Sequence, residues 1–271
     1  MDVCFASSPQ HADVLNEDFV AATSGGAVVI DGAGTPEGAD SGCVHGVAWY
    51  SRAVGYALVA RMAELERPLH DCLAQAIIHV RDLHRADCDL GHPGTPSSTV
   101  TAIRENGDRL DYLVLADSPL VLDLADRIEV ICDHRVDAFQ REMPASMREN
   151  PLGSAEYRAG LREYIAEWRR HRNVEGGFWV ASSQPDAAAH ALTGTVPLAD
   201  VSAAALLSDG ASRLVDRFGL LSWRDLLDLL DNQGPAELVR RVRDVERNTA
   251  EQYPGKAHDD ATAAYCRFGR L

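Results

Sequence analysis

Four short acidic motifs follow one another along the chain: Asn16-Glu17-Asp18, Asp31-Gly32, Ser208-Asp209-Gly210 and His258-Asp259-Asp260. Each stands at the edge of an apolar or β-rich run, where widely spaced carboxylates can converge on one site. Carboxylates brought together repel one another unless cations sit between them. Oxygen ligands of this kind suit hard ions such as Mg²⁺ and Mn²⁺. Two ions about 3.5–4 Å apart can share a carboxylate and a water, lower that water's pKa and clamp a phosphoryl group. A two-metal hydrolytic centre is the chemistry these residues point to.

The surrounding pattern supplies strand ends and helices to carry the motifs. Strands are expected at residues 3–7, 19–23 and 27–30, the last two joined by a turn at Ser24-Gly25-Gly26. The unbroken run Ala27-Val28-Val29-Ile30 suits a central strand covered on both faces. Two helices follow, over 42–66 and from Pro68 onward. Leu69, Cys72, Leu73, Ala76, Ile77 and Val80 give the second one apolar face. Residues 91–97 read as a loop. Strands at 99–104 and 110–116 flank Asn106-Gly107, and 120–124 and 128–132 flank Ala125-Asp126-Arg127, giving an antiparallel meander.

Residues 133–175 break this rhythm with Pro144, Pro151 and Gly153, followed by a charged helix over 157–172 that ends in Arg169, Arg170, His171 and Arg172. This stretch reads as a flap-like insertion. Strands resume at 178–182 and 203–207, helices at 222–230 and 235–251, and a last strand at 261–268. No repeat or linker divides the 271 residues, so one domain is expected.

Composition excludes several classes. Twenty-six basic against 41 acidic residues give a net charge of −15, which repels nucleic acid and anionic membranes. A metal-dependent nuclease would share the carboxylates but not this charge. Gly32-Ala33-Gly34 lacks the third glycine and the βαβ pattern of a dinucleotide site. Lys256 is the only lysine, an Arg-rich bias typical of GC-rich bacterial coding. The six cysteines, Cys4, Cys43, Cys72, Cys88, Cys132 and Cys266, form no Cys-x-x-Cys pair. A zinc ribbon is therefore not expected, and the thiols read as reduced and mostly buried. His45, His70, His84, His92, His134 and His171 show no metal-type pairing and read as surface or packed side chains. No signal peptide or spanning segment is expected, which places the protein in the cytoplasm.

Taken in order, the motifs resemble those of the metal-dependent protein phosphatases, the type 2C serine/threonine phosphatases. The resemblance runs through Asn16-Glu17-Asp18, Val29-Ile30-Asp31-Gly32-Ala33-Gly34, Ser98-Thr99, Leu115-Ala116-Asp117-Ser118, Leu207-Ser208-Asp209-Gly210 and Asp259-Asp260-Ala261-Thr262. It implies an α+β fold, an α-β-β-α sandwich of two stacked antiparallel sheets flanked by helix pairs. It implies two Mn²⁺ or Mg²⁺ ions and attack by a metal-bridging water or hydroxide on phosphoserine or phosphothreonine. Asp31 would bridge both metals, with the Gly32 carbonyl beside it. Glu17 would serve the second metal, and Asp209 and Asp259 the first. Asp117 matches a residue linked to a third metal, and Asp18 would be a supporting acid.

Four positions depart from the family pattern. Asp13 stands where many members carry a phosphate-binding Arg, and Ala33 where some carry a His after the Asp-Gly. Arg213 replaces a frequent Asp, and Ala116 a usual Gly. The phosphate must then be held by the metals or by another arginine, with Arg213 and the arginines of 157–172 as candidates. Two further readings stay open: a small phosphorylated metabolite as substrate, and a phosphatase-like binding module without turnover. A phosphoprotein is the expected partner.

Overall fold

The computed structural model describes residues 1–33, 40–139, 147, 149–151, 154–249 and 257–269. Gly34, Pro144, Gly153, residues 250–251 and Lys256, used in the sequence reading, lie outside the described residues. Two five-stranded antiparallel sheets stack face to face. The first contains β1 (Asp2–Ser8), β6 (Leu120–Leu124), β7 (Ile128–Ile131), β9 (Val201–Leu207) and β10 (Ala261–Arg267), ordered β1-β10-β9-β6-β7. The second contains β2 (Phe19–Thr23), β3 (Gly26–Ala33), β4 (Ser97–Asn106), β5 (Arg109–Leu115) and β8 (Leu192–Pro197), ordered β2-β3-β4-β5-β8.

Helices α1 (Val47–Met62) and α2 (Leu69–His84) cover the second sheet. A third helix, α3 (Ala155–Arg169), lies in the segment between β7 and β8. The first sheet is covered by α4 (Asp209–Asp216), α5 (Trp223–Gln233) and α6 (Pro235–Thr249). The result is the expected α-β-β-α sandwich. No described helix is long and apolar enough to cross a membrane.

The apolar run of β3 explains the layering. Ala27, Val28, Val29 and Ile30 are all fully buried. Val28 and Ile30 point into the core under α1 and α2, while Ala27 and Val29 join the core between the sheets. Period-two alternation therefore feeds two cores from one strand. β10 does the same for the other half: Ala261, Ala263 and Tyr265 face α4–α6, and Ala264 and Cys266 face the second sheet.

Several local expectations are corrected. The four strands from 99 to 132 do not form one meander: β4 and β5 pair in one sheet, β6 and β7 in the other. The chain changes sheet at residues 116–119, next to a motif carboxylate. Residues 178–182 make only isolated bridges, Ser98 to Ala181 and Arg172 to Phe178, and the strand beside β5 is β8, which the sequence reading missed. Helix α1 starts at Val47 rather than 42 because Gly42 and Gly46 hold φ values of 67° and 78°, outside helical space. Three helices, not two, follow Asp209, and the first is only eight residues long.

Helix α1 also stops earlier than expected, and a buried arginine replaces further helical turns. Arg104 of β4 donates to the carbonyls of Met62, Glu64 and Arg67 at 3.4, 3.1 and 3.0 Å, and to Asp111 Oδ2 at 2.9 Å. It satisfies carbonyls that a helix end leaves without partners. Truncating it removes a buried charged donor from three carbonyls and from Asp111, although Asp111 keeps Asn106 Nδ2 at 3.1 Å and the Glu64 carbonyl keeps the Arg67 N–H at 2.9 Å. Arg104→Ala is expected to cost about 3 kcal/mol of unfolding free energy, read by denaturant melts. A loss under about 0.5 kcal/mol would show that water caps this turn equally well.

Candidate metal centre

The acidic motifs meet at one end of the sandwich. Asp31 lies near the C-terminal end of β3, Asp117 at the sheet change after β5, Asp209 at the start of α4 and Asp259 just before β10. These four carboxylates line one cavity of about 220 Å³. Trp168, Phe178, Val136 and Val180 form an apolar wall to the same cavity. Among the described residues no Arg or Lys side chain lines it.

Asp31 sits at the middle of the group. Its Oδ2 accepts from the Asp209 backbone N–H at 3.0 Å and, more weakly, from Ser118 Oγ at 3.4 Å. Ser118 is in turn fixed by Thr99 Oγ1 at 2.6 Å, and its carbonyl accepts from Thr101 Oγ1 at 2.6 Å. Thus the Ser98-Thr99 and Asp117-Ser118 motifs act on Asp31. Burial, then the charges of Asp209, Asp18 and Asp259, push the Asp31 carboxyl well above the usual carboxylate range.

Asp18 lies against the same group and is only 5 % exposed. Burial, with the Asp260 and Asp209 charges adding to it, pushes its carboxyl up to about 8. The hydroxyls of Thr262 and Ser208 lie near enough to soften its charge, yet neither Asp18 oxygen has a hydrogen bond of ordinary geometry. Buried acceptors without partners are costly. Asp117 is raised to about 6, by burial first and then by Asp137 and Asp133.

Two glycines let the backbones close in. A Cβ on Gly32 would stand 2.5 Å from the Glu17 carbonyl oxygen, 2.7 Å from Val47 and 2.8 Å from Ser51. A Cβ on Gly210 would stand 1.9 Å from the Asp260 carbonyl oxygen. The Asp-Gly pairs are therefore close approaches of backbone as well as carriers of a carboxylate. Asp260, given no role in the sequence reading, accepts from the Gln10 N–H at 2.7 Å and the Glu17 N–H at 2.8 Å. It anchors the segment that carries Glu17 and Asp18. Glu17 itself does not line the cavity; its backbone packs against Gly32.

The donor set fits hard cations. Crowded carboxylates, a buried Asp18 with unpartnered oxygens and a backbone packed too tightly for a side chain at residue 32 all match an oxygen-lined cation cradle. Asp31, Asp209 and Asp259 with the Gly32 carbonyl would hold the ions, with Glu17, Asp18 and Asp117 around them.

Arg213, expected as a phosphate ligand, has another place. It is buried, donating to Glu246 Oε1 at 2.6 Å and to Asp259 Oδ2 at 2.8 Å. Glu246, 1 % exposed, also accepts from Arg243 at 2.7 Å and meets His258 Nδ1 at 3.1 Å. Arg213 thus orients Asp259 from behind. The arginines near 170 are likewise engaged elsewhere. Arg172 donates to the Thr95 and Pro93 carbonyls and to Ser97 Oγ, and Arg170 pairs with Glu167. The residue that this helix does present to the cavity is Trp168, at 4.3 Å from the Phe178 ring. An aromatic near the end of a charged helix was the available signal, and the run of arginines masked it.

The cysteine and histidine expectations also change. Only Cys72 and Cys266 are buried; Cys4 is exposed and the others are half-buried. Cys43, His45, His84 and Cys88 lie together although no spacing motif announces them.

A protein phosphatase 2C family model matches residues 7–244. Among solved structures, the Mycobacterium tuberculosis serine/threonine phosphatase PstP/Ppp aligns with a TM-score of 0.59 at 16 % identity over 99 % of each chain. The PPM Ser-Thr phosphatase MsPP from Mycobacterium smegmatis, in complex with cacodylate, gives 0.57 at 18 % identity, again over 99 % of each chain. The PstP catalytic domain in complex with two manganese ions gives 0.54 at 15 % identity, over 98 % of this chain and 97 % of that one. No curated protein matches the chain.

Two substitutions test this geometry. Ala116 holds φ 70°, a left-handed conformation that a Cβ disfavours. Ala116→Gly is expected to stabilise the fold by about 1 kcal/mol in denaturant melts, less the entropy glycine adds to the unfolded chain. A destabilised variant would contradict the strain. Arg213→Ala leaves Glu246 and Asp259 without their shared cation and is expected to cost about 3 kcal/mol while weakening Mn²⁺ binding. Unchanged Mn²⁺ affinity would show that Asp259 does not need Arg213 to point inward.

Proposed function

The chain belongs to the protein phosphatase 2C family and is a metal-dependent phosphatase, and from that premise we propose that it hydrolyses phosphoserine and phosphothreonine in proteins at the Asp31 centre, using two Mn²⁺ or Mg²⁺ ions. The observation that carries the reading is the meeting of Asp31, Asp117, Asp209 and Asp259 in one cavity whose described lining residues include no basic side chain. A phosphate dianion entering such a cavity is repelled unless cations hold it. When bound, the two ions lower the pKa of a water and balance the charge on the phosphoryl group.

The side chains then have distinct tasks. Asp31, tied to the Asp209 N–H and to Ser118, is the central oxygen donor and is held to one orientation. Asp209 and Asp259 flank it, the latter aimed by Arg213. Glu17 and Asp18 are carried on the segment that Asp260 anchors. The wall of Val136, Trp168, Phe178 and Val180 limits water on one side of the cavity. Trp168 comes from the 133–175 segment, which supports its reading as a flap within a single domain.

No ionisable side chain stands at Ala33, so the proton for the leaving hydroxyl comes from a source other than that position. Retention of every motif carboxylate argues for turnover over a purely binding role. Asp13 lies in an exposed turn and offers no cation for the phosphate, which leaves that task to the metals. A bacterial origin agrees with the structural neighbours, and a cytoplasmic site of action agrees with the free cysteines.

Hydrolysis of a phosphothreonine peptide by purified protein tests the reading. Turnover should require Mn²⁺ or Mg²⁺ and stop with chelator, and Asp31→Asn should lower kcat/KM by about 100-fold or more. Full activity in Asp31→Asn, or in chelator, would remove the carboxylate centre from the reaction.

A further inference from the structure

A second cluster of ligand atoms lies apart from the carboxylates, where the loop before α1 meets the end of α2. Cys43 and His45 sit on that loop. His84 is the last residue of α2, and Cys88 follows one turn later, its N–H donating to the His84 carbonyl at 3.1 Å. The i, i+4 spacing puts His84 and Cys88 on one face. One ligand atom from each of the four residues falls within 4.8 Å of every other.

The individual separations resemble the edges of a tetrahedron. Cys43 Sγ and Cys88 Sγ are 3.3 Å apart. Cys43 Sγ lies 3.6 Å from His84 Nδ1 and 3.9 Å from His45 Nδ1, and Cys88 Sγ lies 3.4 Å from His45 Nδ1. A four-coordinate zinc with Zn–S of about 2.3 Å and Zn–N of about 2.05 Å would set sulfurs about 3.8 Å apart and sulfur–nitrogen pairs about 3.6 Å apart. Four of the six edges thus lie within about 0.5 Å of those values, and the other two, from His84 to His45 and to Cys88, stay within 4.8 Å.

We propose that Cys43, His45, His84 and Cys88 form a structural Cys₂His₂ zinc site. Two thiolates and two imidazoles are soft and borderline ligands that select Zn²⁺ over the Mn²⁺ or Mg²⁺ of an oxygen site. All four protein ligands are present, which leaves no open position for catalysis. The surroundings hold the ligands in place. The Trp49 ring stacks on His45 at 4.3 Å and sits 5.2 Å from His84. The Asp89 N–H donates to the Gly42 carbonyl at 2.8 Å, clamping the two ligand-bearing segments together. Gly42 and Gly46, both at positive φ, bracket half-buried Cys43 and exposed His45 on the loop that faces Cys88. His84 is 2 % exposed with Nδ1 3.6 Å from Cys43 Sγ, and a shared cation accounts for this buried imidazole beside a thiol.

The site explains how a loop with two glycines holds its course next to the carboxylate centre. Zinc would fasten the start of α1 to the end of α2. Two residues beyond His45, Val47 packs on Gly32, with Ser51 one turn further along. The two metal centres are thus separate in chemistry but joined through α1.

The test begins with the unaltered protein, purified under reducing conditions without chelator and analysed for metals by mass spectrometry. About one zinc per chain is expected. Titration with a mercurial thiol reagent should release it, read with a chromogenic zinc indicator. Cobalt substitution should give the intense visible bands of a tetrahedral ion together with thiolate-to-cobalt charge transfer. Cys43→Ser/Cys88→Ser should lose both zinc and cobalt bands and melt at lower temperature, whereas Asp31→Asn should keep its zinc. Zinc-free protein from zinc-supplemented culture, zinc that resists the mercurial, or a Cys43–Cys88 disulfide in the peptide map of zinc-free protein would each overturn the proposal. These readouts do not depend on phosphatase turnover.

Discussion

Mutual repulsion among carboxylates governs this structure. Asp18, Asp31, Asp117, Asp209, Asp259 and Asp260 are drawn to one end of a sandwich whose strands and helices leave them little room to separate. Burial raises Asp31 and Asp18, and neighbouring charges add to it: Asp209, Asp18 and Asp259 act on Asp31, and Asp260 and Asp209 act on Asp18. Without a compensating positive charge Asp31 and Asp18 resist ionisation. With cations between them, the same residues would form a preformed site, and the repulsion that the sheets enforce would contribute to its affinity.

Most of the supporting structure aims these oxygens rather than adding to their number. Ser118 and the Asp209 N–H steady Asp31, Asp260 anchors the Glu17 segment, and Arg213 turns Asp259 while cancelling part of its charge. Arg213 is itself held by Glu246, which Arg243 and His258 also contact. Arg243 extends the network to the carbonyls of Ser8 and Pro9, near the start of the chain. A residue that departs from the family pattern therefore has a role here, in orienting a ligand rather than binding phosphate.

Many individual elements were legible in the sequence because their signals are local, whereas the sandwich itself followed from the family resemblance. The unbroken Ala27–Ile30 run and the Asn106-Gly107 turn each follow from short-range chemistry, as does the apolar face of α2. Asp31, Asp209 and Asp259 line one cavity, as their strand-end context implied, whereas Glu17 does not line it. What escaped the reading depends on tertiary contacts. The change of sheet at residues 116–119 carries no periodicity, and β8, with four of its six residues exposed, carries a weak alternation. The role of Arg213 becomes visible only when Glu246, 33 residues away, is placed beside it. Cys43, His45, His84 and Cys88 come from two segments separated by two helices, so spacing rules tuned to compact zinc motifs pass over them.

Calorimetric titration of Mn²⁺ into chelator-stripped protein, with Asp31→Asn alongside and zinc content fixed, tests the central claim most directly. The account predicts about two ions bound per chain, as a shared-carboxylate site requires, with proton release as the raised carboxyls ionise. It also predicts a melting temperature that rises with Mn²⁺ and a loss of these effects in Asp31→Asn. Wild-type protein that binds no Mn²⁺, or binding that survives unchanged in Asp31→Asn, would contradict it.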